Sequence, residues 1–331
     1  MAKRVTIHDV AALAGVSRQT VTRALNDMDG INDETKQRVL EVSKRLGYRP
    51  SRFARSLVAR EKTRTLGLVV SSFRNPYYTE IAGELLDCAA SRNWQVIMAS
   101  SESAGEAAAV RTLSTQVDVV VGHFWTSQEQ IEQARNGVPV VVLDRVEPWP
   151  GMHSVALDLR PGIEEAIRAL RGKGARSIGM IDSNNHVPRH SAYVPSTRRR
   201  DFEELIGPGR AAAVVAGEES IGGGSLAFVE LMRAHPEVDA VLVFNDLMAI
   251  GAVHAAHTLA IDVPGRVRIL GIDGLSMGQA VHPPLSTISI DRAALAARAL
   301  DVVDALAAVD FAETAPIRHV VRPRLLWRES A

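Results

Sequence analysis

The sequence predicts an all-α headpiece followed by an α/β core of two lobes, each built on a parallel doubly wound sheet. Three observations predict it. Helical patterns follow one another from Ile7 to Leu46 with no strand pattern between them, and short apolar runs then alternate with helical patterns from Leu66 onward. Charge divides at the same place: residues 1–64 hold 14 Lys and Arg against 7 Asp and Glu, and the remaining chain holds 24 against 31. A basic head on an acidic body points to a polyanionic partner for the head alone.

In the head, Thr6 and Asp9 form a near capping box, and Val10, Leu13 and Ala14 give the first helix an inward stripe. Gly15 supplies a sharp turn. Ser17 caps a second helix whose Val21, Ala24 and Leu25 face inward, while Arg18, Gln19, Thr22 and Arg23 face out. A third helix starts at Asn32 or Asp33, carries Val39, Val42 and Leu46, and stops at Gly47. Helix, short Gly-containing turn, helix is the helix-turn-helix pattern, whose second helix presents its N-terminal side chains to base edges in the DNA major groove. Ser51–Ala59 adds a nine-residue helical pattern too short to be stable alone in water.

Five motifs in register across this region resemble the lactose-repressor (LacI-type) family of bacterial transcription regulators. They are Val5-Thr6-Ile7-x-Asp9-Val10-Ala11, Ala14-Gly15-Val16-Ser17, Thr20-Val21-x-Arg23, Leu46-Gly47-Tyr48-x-Pro50 and Ala54-Arg55-Ser56-Leu57. The resemblance implies a DNA-contacting set of Thr6, Ser17, Arg18, Gln19, Thr20, Thr22 and Arg23. It also implies a hinge in which Leu57 enters the minor groove and Arg52 and Arg55 lie toward phosphates. The expected partners are pseudo-palindromic operator DNA, a small effector, and a second copy of the chain. Family tetramers carry a leucine-repeat tail, and this chain ends at Leu326–Ala331 without one, so a homodimer is expected.

Composition narrows the class further. No run approaches 18 apolar residues, and Met1–Arg4 leads into no apolar stretch, so neither a membrane span nor a secretion signal is expected and the cytoplasm is the expected location. The single Cys88 cannot form an intrachain disulfide and reads as a buried small hydrophobe. No metal-ligand spacing and no cofactor motif is present.

Beyond a polar linker at Glu61–Thr65, apolar runs at Leu66–Ser71, Gln95–Ala99, Val117–Gly122, Val138–Leu143 and Val155–Asp158 alternate with helical patterns, and a second set follows residue 160. Family resemblance continues here, in Asn75-Pro76-Tyr77-Tyr78, Pro139–Arg145, Phe244-Asn245-Asp246, Leu270–Asp273 and Pro283–Thr287. It implies a periplasmic-binding-protein-like core in which the chain crosses between lobes three times. The expected domains are a headpiece (1–48), a hinge and linker (49–62) and a two-lobed effector-binding and dimerisation domain (63–331). Within the last, one lobe takes about 63–160 and 291–320, and the other about 161–290 and 321–331. Leu285–Ile290, the helix Arg292–Ala308 and Val320–Trp327 are the final segments and would be the returns between lobes.

Ligands of open α/β sheets sit beyond the C-terminal ends of strands. Asn245 and Asp273 directly follow strands and suit the hydroxyls or ring nitrogens of a small polar molecule, sugar- or nucleoside-like. Arg198 resembles the family's effector-binding arginine. Asp201 replaces the family glycine, which leaves Arg199 and Arg200 as alternatives for that position. Tyr77 and Tyr78 occupy the place where relatives stack aromatic rings, and Trp125 follows a strand end. His8, His123, His186 and His190 read as scattered surface or loop residues.

Two rival readings are weaker. Gly274-Leu275-Ser276-Met277-Gly278 fits a nucleophile elbow, with Asp291 and His319 in hydrolase order, but Asp273 would crowd the base and Pro283-Pro284 cut short the supporting helix. Gly217–Ser225 mimics a phosphate loop, yet Gly223 stands where the lysine must be, so a flexible loop leading into a helix is expected. An extracytoplasmic solute-binding protein would share the core but not the basic headpiece. A repressor with no catalytic residues is the reading that accounts for both halves.

Overall fold

The computed structural model describes residues 7–25, 30–46, 63–184, 193–207, 213–309 and 314–331. The chain divides into two compact units, 1–65 and 66–331. The expected contacts of Thr6, Arg52, Arg55 and Leu57, and the hinge itself, lie outside the described residues.

Among the described residues the first unit holds three helices: α1 (Ile7–Ala14), α2 (Arg18–Leu25) and α3 (Asp33–Leu46). Val10, Ala11, Ala14, Val21, Ala24, Val39 and Val42 form its core. Leu13, expected in the inward stripe, is half exposed, and Ala11 is buried instead. The inward face of α1 therefore runs through positions 10, 11 and 14. Gly15 turns the chain at φ +67°, where a Cβ would be strained. Asn32 is the cap of α3, its Oδ1 accepting from the Thr35 amide at 2.8 Å.

The second unit holds two six-stranded sheets. One has the order β11-β5-β4-β3-β1-β2, from Thr65–Val70 (β1), Gln95–Ser100 (β2), Val119–His123 (β3), Val140–Leu143 (β4), His153–Leu157 (β5) and Arg318–Val321 (β11). The other is β12-β10-β9-β8-β6-β7, from Ile178–Ser183 (β6), Val214–Gly217 (β7), Ala240–Val243 (β8), Arg268–Asp273 (β9), Ser286–Ser289 (β10) and Arg324–Leu326 (β12). The pairing is parallel except where β12 runs antiparallel to β10. The chain passes from one sheet to the other after β5, after β10 and between β11 and β12. Arg322-Pro323 separate β11 from β12, so the last stretch of the chain serves both lobes.

A second correction concerns Gly217–Ser225. Ser220 accepts from the Gly223 amide at 2.9 Å and caps a helix that begins at Ile221 and runs to Ala234. Three successive glycines are poor helix formers, but packing overrides propensity. A Cβ at Gly224 would fall on the Met248 backbone, and one at Gly251 on the Ile221 carbonyl, so the helices Ile221–Ala234 and Asp246–Thr258 meet backbone to backbone. Gly224→Ala and Gly251→Ala are each expected to lower stability by about 1–3 kcal/mol. Gly172→Ala, on a helix where a Cβ meets nothing, is the neutral control. Chemical denaturation midpoints of the three variants check this.

Candidate functional site: a cleft between the lobes and an exposed helix face

In the first sheet the strand order reverses between β1 and β3, and in the second between β6 and β8. Such switch points open a crevice at the C-terminal strand ends. Tyr77 follows β1 at the start of the helix Pro76–Ser91, where Asn75 caps by accepting from the Tyr77 amide at 3.0 Å. His123 ends β3. Tyr77, Tyr78 and His123 pack ring to ring, with centroids 5.2 to 5.8 Å apart. All three are buried. The expectation of a surface or loop His123 is therefore wrong: the ring is buried at the end of β3 against the two tyrosines. Burial pushes His123 down to about 4, so the imidazole is neutral at neutral pH.

On the opposite lobe Asp273 ends β9 in a left-handed backbone conformation (φ +123°) that costs a non-glycine residue about 1–3 kcal/mol. Its carbonyl accepts from the Ile290 amide at 3.2 Å and from Arg292 Nη1 at 2.6 Å. The Arg198 guanidinium stands 3.6 Å from Asp273 Oδ1, lies over the Phe244 ring at 4.4 Å and donates to the Phe244 carbonyl. Of the three candidate arginines, Arg198 is the one beside Asp273; Arg199 pairs with Glu203, and Arg200 is exposed and lines the same cavity as Arg198. Burial pushes Asp273 well above the usual carboxylate range, with the Arg198 charge pulling the other way. Asp144, one residue beyond β4, is pushed up to about 6 by burial against the same opposing guanidinium. Tyr77 is raised too, by burial first and then by the Asp144 and Asp273 charges.

A cavity of about 510 Å³ opens in front of this cluster. Arg198 and Trp125 line it, together with Asp144, Arg160, Asp201 and Phe244. Trp125 is 58% exposed at the rim of this cavity. Tyr77, Tyr78, Asn245 and Asp273 do not line this cavity; Tyr77 and Asp273 lie behind it, close enough to share the field of Arg198. Tyr77 Oη, both His123 ring nitrogens and Asp273 Oδ1 are buried with no hydrogen-bond partner among the described residues. Asp201 pairs with Arg160 at 2.9 Å, which ties the helix Thr197–Ile206 to the crossover after β5. The departure from the family glycine thus has a local structural use.

Asn245 proves to be a cap. Its Oδ1 accepts from the Met248 amide at 2.9 Å, leaving Nδ2 3.5 Å from Glu219. Asp246 is structural: it accepts from Thr287 Oγ1 and from the Leu275 amide, each at 2.7 Å, and burial pushes it up to about 7. Asp182 was not anticipated from sequence. It is fully buried and accepts from Ser196 Oγ at 2.6 Å and from Tyr193, fixing the segment that delivers Arg198. Ser276 is no nucleophile elbow, since it starts a short 3-10 helix and donates to Glu80 at 2.7 Å.

In the headpiece, Arg18, Gln19 and Arg23 are exposed on α2. Ser17 Oγ accepts from the Thr20 amide at 3.1 Å and bonds the Thr20 hydroxyl, and Thr22 Oγ1 donates to the Arg18 carbonyl at 3.0 Å. These hydroxyls fix the start of the helix from which Arg18 and Gln19 project. Ser17, Gln19, Thr20, Arg23, Asn32 and Thr35 line a polar hollow of about 270 Å³ beside it. Among the described residues no helix is long and apolar enough to cross a membrane.

Comparison with known proteins agrees with this division. Residues 6–51 match the description "Bacterial regulatory proteins, lacI family", and residues 167–331 match "Periplasmic binding protein-like domain". Catabolite control protein A of Staphylococcus xylosus is 31% identical over 295 residues, covering 86% of this chain and 87% of that one. A LacI family transcriptional regulator from Arthrobacter sp. FB24, solved in complex with lactose, is 26% identical with a TM-score of 0.73, covering 80% of this chain and 98% of that one. The structure of a transcriptional regulator CelR–cellobiose complex is 26% identical with a TM-score of 0.69, covering 99% and 100%. This is a family of transcription regulators rather than enzymes. A helix-turn-helix unit followed by a two-lobed core, with a relative matched across most of both chains, makes this protein a member of the LacI family of bacterial transcriptional regulators, with a DNA-binding domain and an effector-binding domain.

Proposed function

We propose that the protein is a cytoplasmic repressor that grips a roughly palindromic operator as a homodimer and releases or tightens that grip when a small polar effector enters the cleft. One headpiece buries too little surface for tight specific binding, which is why two copies are invoked. Arg18, Gln19 and Arg23 read base edges, and Thr6, Ser17, Thr20 and Thr22 orient the helix on the backbone. Arg52, Arg55 and Leu57 act from the hinge, in the segment 49–62 between headpiece (1–48) and sensor (63–331).

The observation that supports the effector reading is that Tyr77 Oη, both His123 ring nitrogens and Asp273 Oδ1 are buried with no hydrogen-bond partner among the described residues, while the Tyr77 and His123 rings touch and Asp273 faces the Arg198 guanidinium at 3.6 Å. Buried polar groups are nearly always paired, so a ligand bearing both donors and acceptors fits them. Hydroxyl donors suit Asp273, acceptors suit Tyr77, and Trp125 offers a face for a ring. Tyr78 supports Tyr77 and His123 by packing, and Asn245 holds the neighbouring helix start. A sugar is the first candidate class, since relatives of this fold at 26% identity are solved with lactose and with cellobiose.

Thermal shift of the full chain against lactose, cellobiose, other mono- and disaccharides and nucleosides tests this. A ligand at 100 times its Kd adds about 2.7 kcal/mol of apparent stability. Asp273→Asn, which keeps the shape but removes the charge and turns one acceptor oxygen into an NH2 donor, is expected to lose most of that shift. An equal shift in the variant, or none with any compound, overturns the assignment.

A further inference from the structure

We propose that Glu80 and Arg292 form a polar clamp that holds Asp273 in its site-facing conformation only while the two lobes are closed on each other, which makes Arg292 a positioning residue for the effector site. This rests on the effector reading above for its consequence, but not for its geometry.

Glu80 lies on the helix Pro76–Ser91 of the first lobe, and Arg292 starts the helix Arg292–Ala308, which packs against that helix. Their side chains pair at 2.7 Å. Further hydrogen bonds from the two run to the end of β9 and the loop that follows it, in the second lobe. Arg292 Nη1 donates to the Asp273 carbonyl at 2.6 Å and Nη2 to the Gly274 carbonyl at 3.0 Å. Glu80 Oε1 accepts from the Ser276 hydroxyl at 2.7 Å and from the Ser276 amide at 3.2 Å. Four hydrogen bonds thus cross from one lobe to the other through a single ion pair.

The pair is not surface decoration. Its side chains are 15% and 25% exposed, against 70% and 54% for the Arg168–Glu164 pair. Opening the lobes would strip Ser276 from Glu80 and leave a half-buried ion pair facing water. The Asp273 backbone, in a conformation its side chain disfavours, would lose one of the two donors that hold its carbonyl. Closure and the geometry of Asp273 are therefore one event, and a ligand that contacts Asp273 stabilises the closed arrangement.

The test uses the full chain with no added ligand, so it stands whether or not a sugar binds. Hydrogen exchange is followed in peptides covering Asp273–Gln279 and, as a control, β8. In a Cys88→Ser background, spin labels at exposed positions 129 and 237 report the separation of the lobes. Glu80→Ala is expected to speed exchange at 273–279 at least tenfold with β8 unchanged, and to lengthen and broaden the distance distribution. Ser276→Ala, which deletes one hydroxyl, is expected to move both readouts in the same direction by less. Glu80→Ala with the exchange rates and distances of the wild type overturns the proposal, as does Ser276→Ala at wild-type values if Glu80→Ala does not fold.

Discussion

Arg198→Met is expected to cost about 3–5 kcal/mol of stability at pH 8, the range found when one partner of a buried ion pair is removed. The guanidinium is 14% exposed, and Asp273, Asp144 and Glu219 all stand within its field. Methionine refills much of the volume over Phe244 but supplies no charge. Protonation sets the sign of the pH dependence. Burial has already raised Asp144 and Asp273, and without Arg198 both rise further. A carboxyl whose folded pKa is raised above its unfolded value costs nothing below the unfolded value near 3.8, costs more as pH climbs from there to the folded pKa, and levels off above it, so a further rise in the folded pKa extends the loss to higher pH. The deficit of the variant should therefore be small near pH 4 and grow up to pH 8. Urea denaturation of wild type and variant across that range checks it, and a deficit independent of pH would show that only packing was lost.

Exchanging Arg18 and Gln19 for other residues is expected to change which operator is preferred, rather than to weaken all DNA alike. Both are exposed at the start of α2, on the face away from Val21 and Ala24. Arg paired bidentately with guanine and Gln with adenine each discriminate by about 1–3 kcal/mol. Neither side chain contributes to the headpiece core, so the variants should fold as the wild type does. Selection from a random duplex library at fixed salt reads the outcome. Unchanged base preferences in both variants would remove α2 from the recognition role.

The features legible in the sequence were those that repeat or that sit beside a fixed signal. Apolar residues at helical spacing around Gly15 give the headpiece, and apolar runs between helical patterns give two sheets covered on both faces. Arg198 was singled out by its resemblance to the family's effector-binding arginine, and the structure sets it 3.6 Å from Asp273 and over the Phe244 ring. What escaped was set by tertiary contact. Nothing near His123 in the chain announces that Tyr77 and Tyr78 will pack on it, and Asp182 finds Ser196 only across a loop. The glycines at 222–224 read as loop because their helix is chosen by the backbone of a neighbouring helix, which no local propensity records. Asn245 looked like a ligand group because a strand-end cap and a strand-end ligand have the same signature; the Met248 amide takes its oxygen.

The central claim is that one small molecule in the cleft sets the affinity of the headpiece for DNA, and a single linked titration tests it most directly. The full chain is bound to its selected duplex at fixed salt, and the anisotropy of the labelled DNA is followed while the sugar or nucleoside found by thermal shift is added. The account predicts a shift in DNA affinity of about 5- to 150-fold, the span of 1–3 kcal/mol of coupling between sites. It also predicts that Asp273→Asn binds the duplex as wild type does but needs far more ligand to respond. DNA affinity that stays constant at saturating ligand, or an Asp273→Asn titration that overlays the wild type, would contradict it.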